Sequence, residues 1–132
     1  MELYEVTVKS GESIKEVVSR YVLEQGWESV YLTGAVGSVI DCRFTTPTEN
    51  ELPLRTISVS SRGAAELLTF IGEVMKREKM DPELKAVYKD KTSPLFVHIH
   101  ASAATAGGHV IGGGLADGKA FRAVRVFMIP LV

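Results

Sequence analysis

The chain has 132 residues, 45% hydrophobic and 23% charged, with a formal net charge of −1 at pH 7. That length suits one domain with a sizeable core, in no need of a disulfide or a metal to fold. The balanced charge argues against nucleic-acid binding through bulk electrostatics, because non-specific affinity comes mostly from Lys and Arg displacing counterions. A single cysteine, Cys42, excludes an intrachain disulfide and a cysteine-rich zinc site. The opening residues Met1-Glu2-Leu3-Tyr4-Glu5 lack the basic and apolar regions of a signal peptide. No apolar run approaches the ~20 residues that span a bilayer. The expectation is a cytoplasmic protein without a membrane partner.

Leu3 to Val8 alternates in the manner of a strand with one buried face. Ser10-Gly11-Glu12 breaks it, and Ser13 with Glu16 has capping-box spacing. Ile14, Val17, Val18, Tyr21 and Val22 then form the apolar stripe of an amphipathic helix, and Gly26 is its natural stop. Ser29 to Thr33 reads as a strand, turned or bulged by Gly34-Ala35-Val36-Gly37 and resumed over Val39 to Phe44. Thr46 to Asn50 is a loop, and Leu54 to Ser60 a further strand. Ala64 to Met80 is ambiguous: its composition favours helix, but Leu67 to Ile71 between Gly63 and Gly72 also suits a strand. Asp81 to Pro94 is a polar excursion. Leu95 to Ala103 is a strand, Gly107 to Leu115 a glycine-rich turn and strand, and Arg122 to Ile129 the final strand.

No repeat, low-complexity tract or Pro/Gly linker divides residues 1–132. The expected fold is therefore a single α+β domain. It has a curved, mainly antiparallel sheet, one long N-terminal helix and a short additional helix. Two basic groups, Lys76/Arg77/Lys79 and Lys85/Lys89/Lys91, are interleaved with Glu73, Glu78, Asp81, Glu83 and Asp90, the pattern of a solvated surface.

His98-Ile99-His100 carries the clearest chemical signal. In a strand, residues i and i+2 share a face, so the two imidazoles lie about 7 Å apart at Cβ and can converge on one cation. The alternative is a pair of ordinary strand histidines. His109 is the only other histidine in the chain, and a hairpin can return it beside the pair. Gly107 to Gly114 holds five glycines in eight positions, but no Gly-Lys-Ser/Thr follows and no helix is expected after it. Those glycines suit turns, bulges or close backbone approach, including at a subunit interface. Asp41, Cys42 and Arg43 are polar residues in an apolar strand. Asp41 or Cys42 can be read as a further metal ligand, or as a surface charge and a buried thiol. Trp27 and Tyr31 read as core or interface residues rather than a base-stacking platform. No serine-nucleophile arrangement appears.

Three segments, in order and spacing, resemble the PPC (plants and prokaryotes conserved) domain. They are Gly34 to Val39 with Arg43 and Pro47; Gly63-Ala64-Ala65-Glu66-Leu67-Leu68-Thr69-Phe70-Ile71-Gly72; and His98-Ile99-His100 followed by Gly108 to Leu115. The resemblance covers almost the whole chain. It implies an α+β domain assembled as a homotrimer, with Glu66 to Ile71 in a strand. It also implies a free-standing prokaryotic-type member, associated with DNA and transcription through plant relatives that carry AT-hooks. The AT-hook core Arg-Gly-Arg-Pro is absent from this sequence.

In many prokaryotic members three histidines form a metal unit, implying zinc or another divalent ion here. Two of them map onto His98 and His100. The third maps onto Gly114, while His109 falls on a variable position. Either His109 or a residue such as Glu66 takes its place, or the metal unit is lost. Gly112, Gly113, Gly114, Glu66 and Arg43 are then the expected ligand or interface residues. The leading expectation is a homotrimeric, non-catalytic interaction module, open to protein partners. A small metal-binding protein or metal-dependent enzyme with a site near His98 and His100 is the alternative, and direct DNA binding ranks third.

Overall fold

The structure, a computed structural model, describes residues 1–87 and 93–131. Strand β1 (Tyr4–Lys9) leads into helix α1 (Ile14–Gln25), followed by β2 (Ser29–Pro47), β3 (Thr56–Ser61) and β4 (Ala65–Lys76). A short helix α2 (Pro82–Val87) precedes β5 (Leu95–Ala104) and the last strand, β6 (Val110–Pro130). Every strand pairing is antiparallel.

Helix α1 begins and ends where local chemistry directs. The Ser13 hydroxyl accepts the Glu16 backbone N–H at 3.3 Å, filling one of the donors left open at a helix start. Gly26 adopts a left-handed conformation (φ 75°), and its N–H closes on the Leu23 carbonyl at 3.1 Å. Ile14, Val17, Val18 and Val22 are buried against the sheet. The helix is only 12 residues long, which corrects the expectation of a long one. The apolar stripe ends at Val22, and the cap at Gly26 allows no further turn.

The sheet order is β1-β6-β5-β4-β2-β3, with β6 also paired to β2. The contacts β2–β4, β4–β5, β5–β6 and β6–β2 therefore close into a ring, and β1 and β3 are appended outside it. Two long strands make this possible. β2 spans 19 residues and β6 spans 21. Their shared ladder shifts register after Leu32, Gly37, Ile40 and Arg43. Each irregularity bends the strand and increases its twist.

Gly34 to Gly37 is thus a bulged passage within one strand. Gly37 has φ 148°, and a Cβ there would stand 2.1 Å from the Ala123 carbonyl oxygen. Likewise, residues 116–121 do not interrupt the C-terminal strand, because they pair with the second half of β2. The segment Ala64 to Met80 contains β4, so strand pairing on both sides overrides its helical composition. Of the excursion over Asp81 to Pro94, the backbone over 82–87 is helical, and residues 88–92, including Lys89, Asp90 and Lys91, lie outside the described residues.

The ring encloses the core. Leu32, Phe44, Leu95, Ile99 and Met128 are fully buried large side chains, joined by a set of valines. Beside this core, Trp27 is wedged edge-on between Tyr4, at 4.6 Å, and Tyr21, at 5.9 Å. Its ring is spent on packing and offers no stacking platform for bases. No helix among the described residues is long and apolar enough to cross a membrane.

Candidate functional site

Alternation along β5 decides which of its residues can do chemistry. Val97, Ile99, Ala101 and Ala103 point inward and are buried. His98, His100, Ser102 and Ala104 consequently point outward. The two imidazoles share that face as the spacing requires, with ring centroids 4.8 Å apart and planes nearly perpendicular.

Register supplies their neighbours. His98 lies opposite Glu73 on β4, which in turn lies opposite Tyr31 on β2. His98 Nδ1 is 3.2 Å from Glu73 Oε1. A carboxylate only accepts hydrogen bonds, so Nδ1 carries the proton in this pair and the ring's orientation is set by Glu73. His98 also stacks on Phe96, with centroids 5.3 Å apart. Glu73, the partner of His98, reads in the sequence only as one acid of a solvated surface, because its role depends on the β4–β5 register. Strict alternation from Ile71 would have put it on the correct face.

His100 lies opposite Ile71 on one side and opposite Gly114 on the other. Gly114 in turn faces Thr45 on β2, whose hydroxyl reaches the Gly114 carbonyl at 3.5 Å. Directly opposed residues present side chains on one face. Position 114 therefore belongs to the same surface row as His100, and here it carries no side chain.

The other candidates are placed elsewhere. The hairpin between β5 and β6 does form, but His109 sits at its tip, with its carbonyl tied to Thr105 N at 2.7 Å. Its neighbour Val110 pairs with Ala104, four residues along β5 from His100. At about 3.3 Å per residue this leaves about 13 Å of strand between them, so the hairpin does not bring His109 to the pair. Glu66 lies opposite Ala104 at that same distant end. Cys42 is buried, and its thiol is pushed up to about 11, chiefly by burial and then by the charges of Asp117 and Asp41. A thiol held neutral in this way is a poor metal ligand. Asp41 is exposed in a left-handed conformation (φ 53°), at the bulge that lets Arg43 face Asp117.

Gly112 and Gly113 serve close approach within the chain. A Cβ at Gly112 would meet the Ala101 carbonyl oxygen at 2.7 Å, and one at Gly113 the Thr45 carbonyl oxygen at 2.4 Å. The basic group at Lys76 and Lys79 is paired with Glu28, at 3.0 and 3.1 Å. Hydrogen bonds from Lys76 and then Lys79 hold the Glu28 carboxyl below the usual carboxylate range. These cations are locally compensated rather than gathered into a phosphate-binding stripe.

The imidazoles form a common wall between two hollows. One, of about 240 Å³, lies on the side of Tyr31, Ile71 and Glu73. The other, of about 540 Å³, lies on the side of Lys15, Arg43, Thr45 and Gly114. Among the described residues no group of three or more His, Cys, Asp and Glu side chains is placed to hold a metal. Among the described residues of one chain the donor set stops at two imidazoles, which does not fit a resident zinc ion with three or four protein ligands.

The family model of the Plants and Prokaryotes Conserved domain, abbreviated PCC or PPC, matches residues 1–132. The chain belongs to this family. Solved structures agree on the fold of this PPC chain. A plant- and prokaryote-conserved protein of Pyrococcus horikoshii is similar with a TM-score of 0.73 at 22% identity, covering 100% of this chain and 80% of its own. A metal-containing protein of Archaeoglobus fulgidus gives a TM-score of 0.76 at 21% identity, over 99% and 80%. A Ralstonia eutropha protein, provisionally described as DNA-binding, gives 0.69 at 10% identity, over 97% and 77%. No curated protein matches the chain.

Proposed function

We propose that this PPC chain is a homotrimeric, non-catalytic interaction module that works in the cytoplasm in the setting of transcription. The observation that carries the reading is the outer face of β4 and β5 with its neighbouring strands. Leu68 is 54% exposed, Ile71 47% and Val110 59%, interleaved with the small residues Ser102, Ala104 and Gly112. Apolar side chains set among small residues make a surface that a second copy can cover. The number three comes from the family resemblance. The link to transcription rests on relatives provisionally described as DNA-binding, and gene-regulatory proteins are the partners this reading favours.

Light scattering of the untagged chain at micromolar concentration should give three times the chain mass. Ile71→Asp should shift it to a single chain with unchanged circular dichroism, because an unpaired charge in a dry interface is costly. A wild-type mass of one chain would sink the proposal.

A second reading, metal binding, is favoured by the Glu73–His98 hydrogen bond, which orients a half-buried imidazole beside His100. A structural relative is described as metal-containing. This reading requires the missing donors to come from a second copy or a ligand. Elemental analysis of untagged protein should then find a transition metal, lost on His100→Ala. A metal-free protein that takes up none on titration excludes it. The family link to DNA predicts at most a weak, steeply salt-dependent gel shift.

A further inference from the structure

The larger hollow beside the imidazoles differs in charge from the two other hollows described, which are both lined in part by glutamate. Lys15 and Arg43 line it together with His98 and His100, and no Asp or Glu among the described residues does so. The chain as a whole has 16 acidic residues against 15 basic ones, so a lining with only cationic and imidazole groups is a local departure. The neighbouring groove along α1, of about 500 Å³, shows the contrast: there Glu16 and Glu24 alternate with Arg20 and Arg77.

Neither cation is loose. Arg43 is paired with Asp117, at 3.0 and 3.1 Å, which offsets part of its charge and holds the guanidinium at the rim, so Lys15 carries more of the attraction. Lys15 reaches the Ala116 carbonyl at 3.4 Å and leans across the gap from α1. Behind them the lining is apolar, with Val97, Ile99 and Leu115 buried. The hydroxyls of Thr45, Thr46 and Thr56 complete the polar rim.

The hollow exists because β5 leaves β6. Pairing between them starts at His100 and Gly114, so residues 95–99 have no β6 partner in the ladder. A space of about 540 Å³ with an apolar floor and a few polar groups lies within the usual size of small-molecule sites, roughly 300–1,000 Å³.

We propose that this hollow binds a small organic anion, a carboxylate or phosphate monoester on a short apolar body, with the charged head at Lys15 and Arg43, beside the imidazoles. The apolar body lies on Ile99 and Leu115. The proposal rests on other residues than the self-association reading does, because Lys15 and Arg43 lie on the side of the imidazoles away from Ile71.

The test is an NMR titration of the full-length chain with hexanoate, n-hexyl phosphate, acetate, inorganic phosphate and hexylammonium. At least one six-carbon anion should shift the amides of Ile99, Gly114 and Leu115, binding at least tenfold tighter than its short counterpart. The stronger of the two identifies the head group. Hexylammonium should leave those amides unmoved. Lys15→Gln, which is one atom shorter and keeps a donor but removes the charge, should weaken binding at least fivefold without altering the rest of the spectrum. Equal binding of hexylammonium, shifts confined to other residues, no shift at 20 mM (roughly an upper working limit for weak sites), or unchanged affinity in Lys15→Gln would each overturn the proposal.

Discussion

Gly114→His should convert a weak two-imidazole pair into a metal site. Position 114 is opposite His100 in the β5–β6 ladder, so a side chain there emerges on the imidazole face. A Cβ at 114 would stand 4.0 Å from His100 Cδ2. Its tightest neighbour is the Thr45 hydroxyl at 3.2 Å, a side-chain atom that can rotate away. Gly114 does not have a positive φ, so the backbone accepts a histidine without strain. Three converging imidazoles are the donor set of many zinc sites with an open position. The gain in zinc affinity should exceed the ~10–100-fold that a second-shell partner such as Glu73 typically carries. Competition with a chromophoric chelator would measure it. Adding His98→Ala to the variant should abolish the gain, and a Gly114→His chain that binds zinc no better than wild type would show that the row does not converge.

Gly72→Ala is expected to do the opposite, damaging the site through the backbone. Gly72 is paired with both Leu32 and Ile99, in the middle of the ring. A Cβ there would lie 2.2 Å from the His98 carbonyl oxygen and 3.0 Å from Ile99 Cα. Both are main-chain atoms, so no rotamer change can relieve the clash. β4 and β5 must move apart at the point where Glu73 meets His98. Overpacking of this kind costs about 1–3 kcal/mol and sometimes more. The midpoint of urea unfolding should fall accordingly, and the amide resonances of Glu73 and His98 should move. A variant within about 0.5 kcal/mol of wild type, the spread of ordinary surface changes, would mean that the strands have slack at this position.

These two glycines illustrate what can be read from the sequence. Helix α1 was legible because its signals are local: a capping serine, a 3.6-residue stripe and a terminal glycine. Its length was overestimated, as the stripe stops at Val22. The outward pair His98 and His100 was legible from strand alternation alone. β4 was not legible from composition, and the family resemblance was needed to place it. The continuity of β2 and β6 was hidden because a bulge glycine and a turn glycine look the same in one dimension. Only the partner strand distinguishes them.

The site shows the same limit. Glu73 and Gly114 acquire meaning from cross-strand register, and Lys15 and Arg43 line one hollow only because α1 packs against β5 and β6. His109, close to the pair in sequence, is carried away by the same hairpin that brings Gly114 to His100.

The closed ring also governs how the chain reaches this state. Its closing seam joins residues 30–45 to residues 114–130, so it cannot be sealed until the two ends of the sequence have met. Such distant pairing is entropically expensive and late, and domains dominated by it refold in about milliseconds to seconds rather than microseconds. Before the seam closes, β2 presents a long unpaired flank to any other chain. Refolding yield should therefore fall as protein concentration rises, and a yield independent of concentration, measured after dilution from urea, would argue that the ring closes early. The same architecture that leaves the finished domain with only β1 and β3 as outer strands makes its assembly vulnerable until the final pairing is made.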